Sequence, residues 1–342
     1  MSIDKDAIIS GAVELIAQDG HQVASRLAKK FGLSRQVANG YLQSLVKDGQ
    51  VEAEGSTRAR VYRLTTLSEH REWFAREDLQ EDRVWRNMIV PRLIGLPGNV
   101  VDIFQYGATE MINNAIEHSG AAKVTVAVRR NALFSEISVE DNGEGIFLKI
   151  QKALSLVDPR ESIMELAKGK LTTAPENHTG QGIFFTSRMM DAFEIVSGNL
   201  HFRHEQKSVD VIAERDAATP GTLVVMRLAN RSTRDAKDVF DDFSDPEDYS
   251  FDKTEVPIRL AQQDNEKLVS RSQARRLVFR FERFKRVTLD FEGVTDIGQA
   301  FADELFRVFA NAHPDVRLVP INTTRNVADM IRRAVGAARS AQ

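Results

Sequence analysis

The sequence predicts a mixed α/β (α+β) protein built from three consecutive units. Three observations carry this. The apolar pattern changes twice along the chain. Short helical periods run to about residue 68, mixed helix and strand periods with most of the glycine pairs fill 88–230, and helix and strand patterns alternate over 253–336. An acid-rich run from Asp235 to Asp252 separates the last two. The length of 342 residues suits two or three domains at roughly 100–200 residues each. We place the units at 1–68, 88–232 and 253–342, with a connector at 69–87 and a solvated acidic linker at 233–252.

Composition narrows the function classes. Hydrophobic residues make up 42% and charged residues 28%, which excludes a disordered chain, a collagen repeat and a coiled-coil rod. A net charge of −3 excludes a wholly basic nucleic-acid coat but not a local basic patch. Cysteine is absent, so disulfides, thiolate metal ligands and a cysteine nucleophile are excluded, and a reducing compartment suits the chain. The first twenty residues mix acids into their apolar stretch, unlike a signal peptide. No apolar run approaches the ~18 residues of a membrane span. The expectation is a cytoplasmic protein with no membrane partner.

In the first unit, Ile8, Ile9, Ala12, Val13, Leu15 and Ile16 form one helical face, and Val23, Leu27 and Ala28 a second. Gly32 supplies a turn and Ser34 an N-cap. The next helix turns Val37, Tyr41, Leu42, Leu45 and Val46 inward, and two short strands follow around Gly55. Helix, helix, turn, helix, hairpin over residues 4–66 resembles a winged helix-turn-helix. Between Gln22 and Arg63 eight basic residues face three acids. The resemblance implies DNA binding. Arg35, Gln36 and Asn39 would open the recognition helix toward base edges, and Arg58 and Arg60 would sit on the wing against phosphate.

Four weak signals follow in order along the middle unit. In FQYGATEMINNAIEHSG, Glu110 and Asn114 lie one helical turn apart, a carboxylate and an amide suited to a proton and a hard cation. Asp141 ends an apolar strand and runs into DNGEGIF, where Gly143 and Gly145 let backbone pass close to a flat ligand. Residues 147–179 read as a lid carrying Lys149, Lys152, Arg160, Lys168 and Lys170. Gly180 and Gly182 then open a helix whose free amides suit phosphate, and Thr222 begins a last strand.

In that order, ExxxNA, DxGxG, GxG-helix and GT-strand resemble the GHKL ATPase fold over about residues 85–230. Gyrase-type ATPases, histidine kinases and anti-sigma-factor serine kinases share this α/β sandwich of Bergerat type. The resemblance implies Mg²⁺-ATP as cofactor. It makes Glu110 the general base, Asn114 the Mg²⁺ ligand and Asp141 the adenine acceptor with Thr222 beside it. Gly143 and Gly145 would form the first glycine box, Gly180 and Gly182 the phosphate box. Lid lysines and Arg188 are further phosphate candidates. Segment 68–97 is too short for the dimerising helix pair of a sensor histidine kinase, and Glu110 with the TEMINNAIEH and GQGIFFTSRMMD wording looks most like the anti-sigma kinase group. His118 and His178 lack a ligand cluster and are read as helix-surface or lid residues.

The third unit alternates helix and strand. Its phrases SRSQARRL, LDFEGVTDIGQAFADELFRVF and RLVPIN resemble a STAS-like domain of unknown function found beside such ATPases. Where anti-anti-sigma domains carry a phosphorylatable serine, this turn reads Ile297-Gly298-Gln299-Ala300-Phe301, without a hydroxyl. The whole implies an ATP-binding regulatory protein, an Mg²⁺-dependent slow ATPase or phosphotransferase coupled to DNA. It would have a protein partner for the ATPase or STAS-like domain and a homodimeric state. The alternatives are an anti-sigma-type serine/threonine kinase acting on a separate protein, and a non-catalytic nucleotide-sensing transcription regulator.

Overall fold

The computed structural model describes residues 4–56, 59–171, 180–206, 208, 210–262 and 266–339. The chain opens with α1 (Lys5–Gln18), α2 (Val23–Phe31) and α3 (Arg35–Lys47), then the antiparallel pair β1 (Val51–Glu54) and β2 (Val61–Leu64). Local chemistry sets each end. The Asp4 side chain caps α1 and that of Ser34 caps α3 by accepting from Val37 N at 3.2 Å, while Gly32 at φ +64° stops α2. α3 buries Ala38, Leu42 and Leu45, the i, i+4, i+7 stripe. Val37, expected inward, is exposed because it sits about a quarter-turn off that stripe. These faces close a small core of their own around Leu27 and Leu42. Leu27 is fully buried, and Leu27→Ala is expected to cost about 2–5 kcal/mol. Urea unfolding of the chain, followed by a probe on α1, measures this; an unchanged midpoint would mean that this core does not hold the module together.

Three residues after the hairpin the chain enters β3 (Ser68–Ala75), which pairs antiparallel with β4 (Lys123–Arg130) along its whole length. Most of the expected connector is therefore not a connector. Its first half is the edge strand of the central sheet. Its second half is helical: α4 (Glu81–Val84) runs into a π-helical stretch, Trp85–Ile89, that buries Trp85, Met88 and Ile89. The central unit continues with α5 (Gly98–His118), β5 (Phe134–Asp141), α6 (Ile146–Leu154), α7 (Glu161–Lys168), α8 (Gly182–Met189), β6 (Ala192–Glu205) and β7 (Val211–Ala229). The sheet order is β3-β4-β5-β7-β6, antiparallel throughout. Val124, Val126, Val128, Ile137 and Met226 alternate onto one face, where they meet Ile103, Phe104, Met111 and Ile112 of α5.

The acidic run differs from the solvated linker expected. It folds as α9 (Ala236–Phe243), capped by Asp235 accepting from Lys237 N at 2.8 Å. Its charges face water, but Val239, Phe240 and Phe243 share one face. Phe240 packs on Tyr106 and Phe185, and Phe243 on Phe184. Beyond it, β8 (Lys253–Pro257), β9 (Arg286–Asp290) and β10 (Arg317–Ile321) form a parallel sheet with β9 central. α10 (Arg271–Val278), α11 (Gln299–Asp303), α12 (Ala310–Ala312) and α13 (Arg325–Arg339) accompany it. Strand β8 was not expected, because KTEVP is too short to show alternation. No helix among the described residues is long and apolar enough to cross a membrane.

Candidate functional site

One cavity of about 280 Å³ opens between α5, the end of β5, the start of α6, the start of α8 and β7. Glu110 and Asn114 reach it from successive turns of α5, Asp141 from the end of β5, and Thr222 from β7; Gly145, Gly180 and Gly182 form part of its wall. Met111, Val139, Ile150, Leu166, Phe184 and Val224 make the rest largely apolar. The cavity thus combines apolar walls, one buried carboxylate, and a second carboxylate with an amide one helical turn away from it.

Asp141 is buried. Its Oδ1 accepts from Gly143 N at 2.8 Å, and Thr222 hydrogen-bonds to the same carboxylate. Burial nevertheless dominates and pushes its pKa above the usual carboxylate range, with those hydrogen bonds opposing the shift and Glu140 adding to it. The Thr222 hydroxyl also accepts from Ile146 N at 3.0 Å, tying β7 to the glycine turn.

The glycines have distinct reasons. At Gly145, φ is +92° and a Cβ would lie 2.6 Å from Ser197 Oγ, so only glycine fits the turn. A Cβ on Gly182 would lie 2.0 Å from Glu110 Oε2, so the carboxylate rests directly against the first residue of α8. Gly143 is not part of the cavity wall. A Cβ there would strike Ser119 O at 2.0 Å, so its role is close packing against the end of α5. Ser197 and Gly221, whose own Cβ would strike Asp141 O at 2.0 Å, stand behind Gly145 and Asp141, and the sequence analysis did not single them out. Ser197 lies on β6, far along the chain, with no local signal.

Residues 65–219 match the family model of the histidine kinase-like ATPase domain. The chain carries a histidine kinase-like ATPase domain. Residues 273–328 match that of a STAS-like domain of unknown function, so the chain carries this second domain as well. No curated protein matches the chain. The ATPase-domain match begins between β2 and β3 and ends just before Thr222, whose hydrogen bond to Asp141 the structure supplies.

Around the cavity the basic residues divide. Lys149 lies in the cavity wall, its Nζ donating to His118 O at 2.5 Å. Lys152 pairs with Glu144 and Arg160 with Asp158, both near the surface. Lys168, Lys170 and Arg188 turn instead to carbonyls of the C-terminal part of the chain: Phe279 at 2.9 Å, Arg283 at 2.6 Å and Glu255 at 3.0 Å. His178 lies outside the described residues. Among those described, no group of three or more His, Asp or Glu gathers for a metal.

The N-terminal module has a groove of about 520 Å³ between α3, the start of α2 and β2. Arg35, Asn39 and Arg60 line it, joined by Gln43, Ser25 and Tyr62. Gln36 is exposed on α3 but outside this groove, and Arg58 lies outside the described residues. Gln43 was missed, although 35, 39 and 43 form an i, i+4, i+8 stripe that the sequence displays. The module rests on the sheet end away from the cavity, through Ala132 and Leu133 and through Arg231 donating to Asp6 O at 3.0 Å.

Proposed function

We propose that the protein is an ATP-responsive regulator. Mg²⁺-ATP occupies the central cavity, and the N-terminal module is a winged helix that binds DNA. The observation that carries the reading is the convergence of Glu110, Asn114, Asp141, Thr222 and three glycines, from five elements, on one cavity. This set fits the nucleotide. Asp141 is a buried acceptor for an exocyclic amine, and apolar walls suit a base. Bare glycine amides at the start of α8 suit phosphate. Asn114 offers a neutral oxygen to Mg²⁺, which keeps waters and phosphate oxygens as its remaining ligands. When bound, Mg²⁺-ATP supplies an electrophilic phosphorus with its charge neutralised. Glu110, held against Gly182, would take the proton of the attacking water or hydroxyl. Calorimetric titration with ATP, with and without Mg²⁺, tests the reading: saturable Mg²⁺-dependent binding is expected, and no binding at millimolar ATP sinks it.

The DNA half rests on the local excess of basic residues and on the stripe Arg35, Asn39 and Gln43 beside Arg60. Arg pairs with guanine and Asn or Gln with adenine through two hydrogen bonds each. Arg60→Ala is expected to weaken binding to all sequences and to reduce the salt slope by about 0.9. Asn39→Ala should cost about 1–3 kcal/mol on the preferred site alone. Fluorescence anisotropy across a salt series reads both, and an unchanged slope counts against a phosphate contact at Arg60.

A further inference from the structure

Two cations of the 147–171 stretch, Lys168 and Lys170, and Arg188 on α8 are committed to the C-terminal part of the chain. Lys168 is fully buried; its Nζ donates to Glu165 and to Phe279 O at 2.9 Å. Arg280, also buried, closes the cluster: Nη1 donates to Glu165 Oε2 at 2.8 Å, and Nη2 to the carbonyls of Gly169 and Lys170. Lys170 donates to Arg283 O and lies 4.8 Å from the Phe284 ring centre. On the other side of the lid, Arg188 donates to Glu255 O, and the rings of Phe184 and Phe185 sit 4.8 and 5.0 Å from Phe251. The two sides meet where Leu171 N donates to Gly180 O at 3.1 Å, and both residues line the cavity. The C-terminal part of the chain from Phe251 onward thus holds both the end of α7 and the face of α8.

Two cations share one carboxylate in this buried cluster. Desolvation drives the Lys168 pKa down against the pull of Glu165. Such a cluster adds little net stability over an apolar contact, yet it does not tolerate partial opening, since a lone buried charge is costly. Parting the domains returns both cations to water. The central and C-terminal units also share one apolar core, so the contact opens as a whole or not at all, the behaviour a two-state element needs.

We propose that the C-terminal domain is a cis-acting restraint on the ATPase cavity. Docked, it holds Lys168, Lys170 and Arg188 away from the phosphates; released, it frees them. Docking and Mg²⁺-ATP binding then oppose one another, and the opposition is reciprocal. This rests on the nucleotide reading above.

The test uses the full chain, Mg²⁺-ATP titration, and hydrogen exchange over 161–171 and 271–284. Arg280→Ala is expected to bind Mg²⁺-ATP about five-fold tighter or more and to exchange faster in both segments without nucleotide. Thr254→Val removes the 2.7 Å hydroxyl bond to Lys168 O and leaves no charge unpaired, so it should move both readouts the same way by less. Saturating Mg²⁺-ATP should speed exchange at 271–284 in the unaltered chain. Unchanged or weaker affinity in a folded, faster-exchanging Arg280→Ala variant overturns the restraint, as does exchange at 271–284 that ignores nucleotide. If Arg280→Ala does not fold, Thr254→Val decides by the same criteria. An unaltered chain that binds no ATP defeats the nucleotide reading instead, while nucleotide-free exchange in the variants still reports whether the grip exists.

Discussion

Asp141→Asn is expected to weaken Mg²⁺-ATP binding by about ten- to a hundred-fold. A hydrogen bond to a charged group is worth about 1.5–3 kcal/mol, and each 1.4 kcal/mol is ten-fold in affinity. Asparagine keeps the shape but loses the charge and presents a donor where the base's amine needs an acceptor. The pH dependence follows from the raised pKa of Asp141. Binding needs the carboxylate, so affinity should fall as pH drops through a value above the ordinary carboxylate range, and the variant should lose that fall. The stability effect has the opposite sign. A group whose folded pKa is raised stabilises the fold below its unfolded pKa, and that contribution is lost as pH rises through the folded value. At neutral pH the nucleotide-free variant should therefore melt no lower than the unaltered protein. Equal affinity in both proteins would remove Asp141 from the base-binding role.

Glu110→Gln is expected to slow phosphate release by about 10²–10⁴-fold while leaving ATP affinity within a few-fold. Glutamine occupies the same place against Gly182, where even a Cβ would collide with the carboxylate, so the cavity wall is kept. What is lost is the proton acceptor. Single-turnover phosphate release beside an ATP titration separates the two effects. Full-rate turnover in the variant would end the general-base assignment. An unaltered protein that binds ATP and alters its DNA affinity without turnover would instead identify a nucleotide sensor.

Much of the candidate site was legible because each of its signals is local. An i, i+4 pair on a helix, an acid at a strand end followed by glycines, and glycines before a helix each state their chemistry within a few residues. Their convergence on one cavity was not readable from any one of them. Ser197 and Gly221 were invisible because they matter only as neighbours of Gly145 and Asp141 in space. Edge strand β3 carries no strand signal in the sequence because Ser68–Ala75 is rich in charge: an edge strand at the surface gains its order from pairing with β4 rather than from apolar alternation. The acidic run hid a helix because its acids outnumber Val239, Phe240 and Phe243, yet those three decide the fold by packing on Tyr106, Phe184 and Phe185.

The lysines and Arg188 show the same limit from the other side. Sequence position brought them near a phosphate box, and charge made them candidates for it. Only packing showed that Lys168, Lys170 and Arg188 are spent on carbonyls of the C-terminal domain, more than a hundred residues away in the case of Lys168 and Arg280's shared cluster. The mixed α/β class, the order of the chemical groups and the two matched domains were readable in the chain, because these depend on residue type at short spacing. Packing alone shows which groups share a cavity, which glycines are forced, and that Lys168, Lys170 and Arg188 turn to the C-terminal part of the chain. Those depend on contacts between distant segments, where burial and desolvation, not spacing, set the outcome.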